Sequence, residues 1–117
     1  MKKLRRRRSL KNKRGWLRLA KEARFNASRL AKLCGITLRQ LERQAQQTLG
    51  CTPQTWLDEQ RMVAAQLLLR ETDTVKEVAF RLGYTQASHF CRQFKQYYEL
   101  TPTQFILQCE RLDRDGP

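Results

Sequence analysis

The side chains able to do specific chemistry lie in two short polar runs, residues 37–47 and 86–96. Wound as a helix, the first run sets Arg39, Gln40, Glu42, Arg43, Gln46 and Gln47 opposite an apolar stripe of Leu41, Ala45 and Thr48. The second points Phe90 and Phe94 one way and Gln86, Ser88, His89, Arg92, Gln93 and Gln96 the other. These are hydrogen-bonding faces. An Arg engages guanine O6 and N7 together, a Gln suits the adenine edge, and a carboxylate accepts from cytosine N4. Arg39 and Arg43 stand one turn apart, where that bidentate chemistry is within reach.

The same residues argue against catalysis. His89 is the single histidine, between Ser88 and Phe90, with no acid nearby in sequence to orient it as a general base. No Gly-rich phosphate loop, nucleophile elbow or carboxylate constellation occurs. Cys34, Cys51, Cys91 and Cys109 form no CxxC or CxxH pair, so no metal site and no cofactor is expected. Cys34 and Cys51 read as small apolar fillers at helix ends. Cys91 adjoins Arg92, whose charge is expected to lower the thiol pKa and open a route to oxidation sensing.

Charge divides the 117 residues sharply: the formal net charge is +13, from 24 Lys and Arg against 11 Asp and Glu. Residues 1–24 hold twelve of those cations and one anion, Glu22, a net of +11. A block of like charge repels itself until it meets a polyanion, and cations seated on phosphates release condensed counterions. Residues 1–14 therefore read as a disordered basic tail. Hydrophobic residues are 40% of the chain, enough for a packed core. No apolar run approaches the roughly 20 residues of a membrane span. The basic start lacks the apolar stretch of a secretory signal, so a cytoplasmic, nucleoid-associated protein is expected.

Beyond the tail the pattern is helical throughout, and an all-α fold of about seven helices is expected. Trp16, Leu19, Ala20 and Ala23 make one apolar stripe. Asn26 or Ser28 can cap a second helix stopped by Gly35, and Thr37 a third ended by Gly50. Thr52-Pro53 opens a long fourth helix running to about Glu71. Then the pattern repeats. Leu30-Ala31 and Gly35 return as Val78-Ala79 and Gly83, 48 residues on. Arg43, Thr52-Pro53 and Trp56 return as Arg92, Thr101-Pro102 and Phe105, 49 residues on, so one residue is inserted between Gly83 and Arg92. Helix, Gly turn, helix is the grammar of a helix-turn-helix, here present twice.

At these residues the chain resembles the DNA-binding region of the AraC/XylS family of bacterial transcription regulators. The most specific matches are Val75-Lys76-Glu77-Val78-Ala79, Leu82-Gly83-Tyr84, Ser88-His89-Phe90, Arg92-Gln93-Phe94-Lys95 and Thr101-Pro102. Leu41-Glu42-Arg43 before Gly50, and Arg61-Met62 with Ala65 and Leu68-Leu69, also fit. The likeness covers about residues 15–107. Ala45 departs from it where a large apolar residue is usual, Glu99 where a helix-ending Gly is usual, and Ile106 where Arg is common.

The resemblance implies two homeodomain-like helix-turn-helix subdomains, residues 15–51 and 72–109, joined by a linker helix over 52–71 and followed by a tail over 110–117. Each subdomain is expected to insert one helix into the major groove of double-stranded DNA. Arg39, Glu42, Arg43, Ser88, His89 and Arg92 are the implied base readers; Thr37, Gln40, Gln86, Gln93 and Lys95 are expected at phosphates. A helix from Pro53 to Arg70 spans roughly 27 Å at 1.5 Å per residue. Successive groove faces lie about 34 Å apart. One chain could thus do what two protomers of a dimer do, and a monomer on promoter DNA is expected. With only a short basic tail before the first helix, a stand-alone activator touching RNA polymerase is the expectation. The competing reading is a non-specific or architectural nucleic-acid binder driven by the tail.

Overall fold

The computed structural model describes residues 13–71 and 74–115, and every regular element among them is a helix. They are α1 (Lys13–Glu22), α2 (Ala27–Cys34), α3 (Leu38–Thr48), α4 (Pro53–Glu71), α5 (Val75–Arg81), α6 (Ala87–Tyr98) and α7 (Pro102–Asp115). The chain divides into two compact units between Arg61 and Met62, within α4. The expected disordered tail over 1–14 lies outside the described residues except at its end, where α1 already begins at Lys13. The expected tail from residue 110 is instead helical to Asp115. Glu110, Arg111 and Leu112 are good helix formers, and no breaker intervenes before Gly116.

In the first unit, α1 buries Trp16, Ala20 and Ala23 and leaves Leu19 half-buried. The chain then turns through Arg24 and Phe25, both left-handed at φ 56° and 59°. A left-handed non-Gly residue carries a strain of about 1 kcal/mol, so two in succession need outside support. That support comes from α4. Arg61 Nη2 donates to the Phe25 carbonyl at 2.7 Å, and the guanidinium lies 5.8 Å from the Phe25 ring centre. Gln54 Nε2 donates to the same carbonyl at 3.1 Å, while its Oε1 accepts the Ala27 N–H at 3.0 Å. Asn26 caps α2, accepting from the Arg29 N–H. Gly35, at φ 72°, closes it: its N–H reaches Lys32 O and the Ile36 N–H reaches Ala31 O. Leu30, Ala31, Leu41, Ala45 and Leu57 complete the core, with Trp16 edge-on to Trp56 at 5.8 Å. Leu33, also on α2, is exposed.

The second unit repeats the plan with an aromatic core. Gly83 at φ 94° closes α5 as Gly35 closes α2, with Gly83 N–H on Phe80 O and Tyr84 N–H on Ala79 O. Where the first unit has Leu41 and Ala45, the second has Phe90 and Phe94, whose rings meet at 5.8 Å; Phe94 also packs on Phe105 and Tyr98. Thr101 caps α7 reciprocally with Gln104, and Pro102 fills the buried first-turn position.

Candidate nucleic-acid interface

The helix that each Gly turn delivers carries the expected polar face. In α3, Leu41 and Ala45 are fully buried, and Arg39, Gln40, Glu42, Arg43, Gln46 and Gln47 are exposed. In α6, Phe90 and Phe94 are fully buried, and Ser88, His89, Arg92, Lys95 and Gln96 are exposed. Helical spacing alone enforces this split, because anchors at i and i+4 turn the intervening residues outward. The ion pairs Arg70–Asp113 and Arg81–Glu77 leave Arg39, Arg43, Arg92 and Lys95 out. Both units thus hold three of the expected base readers on one exposed face.

The expected phosphate residues divide. Thr37 and Gln40 form a capping box at the start of α3: the Gln40 N–H reaches Thr37 Oγ1 at 3.1 Å, and the Thr37 N–H reaches Gln40 Oε1 at 2.9 Å. Their hydroxyl proton and amide NH2 group remain as donors. The residue inserted in the second repeat falls in its turn. From Gly35 to the start of α3 is three residues; from Gly83 to the start of α6 is four. Gln86, which aligns with Thr37, therefore stands at the N-cap of α6 without a side-chain capping bond and is exposed. Lys95 is exposed in the last turn.

Gln93 is placed differently from the expectation. It is half-buried, and its Oε1 accepts a hydrogen bond from the Tyr84 hydroxyl. Tyr84 is itself buried against Phe90 and meets the His89 ring edge-on at 5.4 Å. One turn residue thereby holds two polar side chains of α6, a role the sequence pattern did not assign to it. Ile36 occupies the aligned place in the first unit and has no hydroxyl to offer.

Cys91 also departs from expectation. Partial burial pushes its thiol up, not down. Neighbours in a helix diverge by about 100°, so adjacency to Arg92 does not aim the guanidinium at the sulfur. Burial raises Cys34 likewise. All four cysteines are free, and no group of three or more metal-ligating side chains occurs among the described residues. Nor is any described helix long and apolar enough to cross a membrane.

Two helix-turn-helix units, each offering an exposed donor-rich helix on a buried scaffold, define the class of protein by its fold. A family model for the helix-turn-helix domain matches residues 30–108. The chain belongs to the AraC-type helix-turn-helix family of DNA-binding transcription regulators, a class without enzymatic activity. It is 36% identical over 74 residues to the transcriptional activator RhaS of Enterobacter sp., a match covering 62% of this chain and 27% of that protein. It is 33% identical over 82 residues to an HTH-type transcriptional regulator of Haemophilus influenzae, covering 69% and 28%. The matches thus span under a third of those relatives. Among solved structures, the DNA-binding domain of AdpA in complex with a target DNA superposes with a TM-score of 0.71 at 25% identity, over 83% of this chain and 90% of that one. The C-terminal domain of the response regulator yesN from Fusobacterium nucleatum gives 0.70 at 26% identity, over 80% and 96%.

Proposed function

We propose that α3 and α6 of one chain read two adjacent major-groove segments of promoter DNA. The supporting observation is the paired exposed face: Arg39, Glu42 and Arg43 on α3, and Ser88, His89 and Arg92 on α6, each set opposite two buried anchors. Arg39, Arg43 and Arg92 supply bidentate donors for guanine, and Glu42 accepts from cytosine N4 or repels a wrong base. Thr37, Gln40, Gln86 and Lys95 hold the flanking phosphates; Gln93 acts mainly by fixing the Tyr84 turn. The chain activates transcription, as the RhaS relative's name says of that protein; on this reading it binds as a monomer in the cytoplasm, at the nucleoid, and acts through contact with RNA polymerase.

Selection of duplexes from a random library at about 150 mM salt tests this reading, since non-specific binding weakens steeply with salt. Two short enriched blocks about one helical turn apart are expected. Binding without enrichment would instead support the architectural reading, which the concentration of charge in residues 1–24 favours. A promoter carrying the selected site should be transcribed more strongly when the protein is added to purified polymerase; repression would reverse the activator assignment.

A further inference from the structure

Charged and polar side chains fill the exposed face of α3, with one exception at its start. Leu38, the first residue of the helix, is 42% exposed. Single apolar side chains on a surface are ordinary and ask for no explanation. What distinguishes this one is its place. Among the described residues, Leu38 and Tyr97 are the exposed large apolar side chains of α3 and α6, and Tyr97 lies in the last turn of α6. A helix in the major groove meets base edges with its N-terminal residues, so Leu38 stands at the reading end and Tyr97 at the far one.

The backbone around Leu38 is fixed, because Thr37 and Gln40 cap one another across it. Helical side chains lean towards the N-terminus, so an exposed Leu38 leads the helix, beside Arg39 and one turn before Glu42. The aligned residue of the second unit is Ala87, which is half-buried and offers a single methyl. We infer that Leu38 is a specificity-determining residue of the first unit, which packs on the C5-methyl group of a thymine in the segment read by α3. This rests on the base-reading proposal above. In the major groove thymine presents a methyl group, whereas the other bases present hydrogen-bond donors and acceptors there. A leucine beside one of those edges desolvates polar atoms and returns no bond, so the contact favours thymine and penalises its alternatives. The neighbouring chemistry leaves this role open. Arg39, Arg43 and Glu42 address guanine and cytosine. Gln40, the adenine-type side chain of the first turn, has its Oε1 engaged by the Thr37 N–H. An apolar contact to thymine is then the route by which that turn recognises an A·T pair.

The test takes the duplex from the selection and replaces each thymine of its enriched blocks, one at a time, with uracil, which deletes only the methyl group. Affinity of the full chain is measured at about 150 mM salt, where non-specific binding is weakened. At one position, in one block only, uracil should weaken the unaltered chain about four-fold, the factor supplied by burying one methyl-sized group. Leu38→Ala should bind the thymine and uracil forms equally. Leu38→Met, apolar and of similar reach, should restore the difference. Leu38 is exposed, so neither substitution touches the core, and native Trp fluorescence checks the fold. Enrichment without any uracil-sensitive thymine overturns the inference and leaves base reading standing. A uracil effect undiminished in Leu38→Ala overturns it too, because another group then meets the methyl. No enrichment at all defeats the base-reading proposal, and the inference falls with it.

Discussion

Glu99 ends α6 in the left-handed conformation at φ 61°, and Gly50, the aligned residue of the first repeat, follows α3 at φ 76°. The two positions compare one backbone geometry with and without a side chain. Glu99 bears the strain of a left-handed non-Gly residue, about 1 kcal/mol. Its carboxylate also sits at the negative end of the helix dipole, unfavourable by about 0.3–1 kcal/mol. Glu99→Gly removes both, but a new glycine gives back about 0.5–1 kcal/mol of unfolded-state entropy. The net expectation is a gain of about 0.5–1 kcal/mol, or roughly 2–8 °C in the melting of a unit this small. Glu99→Lys, which reverses the charge and keeps the strain, should gain about 0.5 kcal/mol. In the other direction, a Cβ at Gly50 meets nothing within 4 Å, so Gly50→Ala carries backbone strain alone and should lose about 0.5–1 kcal/mol. Urea unfolding separates the units spectroscopically. Trp16 and Trp56, the two tryptophans, both belong to the first unit. Gly50→Ala should shift the Trp fluorescence midpoint, and Glu99→Gly the far-UV circular dichroism. A destabilised Glu99→Gly chain would refute the strain assignment.

Three further outcomes are expected. Arg61→Met removes a charged donor from the Phe25 carbonyl and should destabilise the first unit by about 2 kcal/mol, read by Trp fluorescence in urea; a change under about 0.5 kcal/mol would mean Gln54 holds the corner alone. Tyr84→Phe deletes the hydroxyl that Gln93 accepts from and should alter base preference in one of the two selected blocks only, with loss in both pointing to a general folding defect. Cys34 has its thiol raised by burial in the folded chain, so the fold keeps the proton longer than the unfolded chain does. Its contribution is intact below the ordinary thiol value of about 8.5 and declines as pH rises through the folded value. Cys34→Ala should flatten the alkaline fall in urea midpoint; an equally steep fall in both chains would exclude Cys34 as its source.

What the sequence made legible is local. Asn26, Thr37, Gly35 and Gly83 mark helix ends through bonds spanning three to five positions, so pattern alone locates them. The exposed faces of α3 and α6 follow from the same periodicity, as does the repeat. The supports of those faces are not local. Arg61 and Gln54 reach the α1–α2 corner across 36 and 29 residues, and only the fold brings them there. By periodicity Gln93 is one more polar residue on α6, whereas the fold brings the Tyr84 hydroxyl to it across nine residues. For Cys91, sequence adjacency to Arg92 is not contact, whereas the desolvation that raises its thiol is set by packing.

Repeating the random-duplex selection with Arg43→Ala and with Arg92→Ala tests whether two helices of one chain read two stretches of one duplex. Each Arg bound bidentately to a base should contribute about 1–3 kcal/mol of discrimination. Arg43→Ala should erase preference within one block and leave the other intact, and Arg92→Ala should do the converse. If both substitutions weaken the same block, or neither changes any base preference, the two-helix account is contradicted.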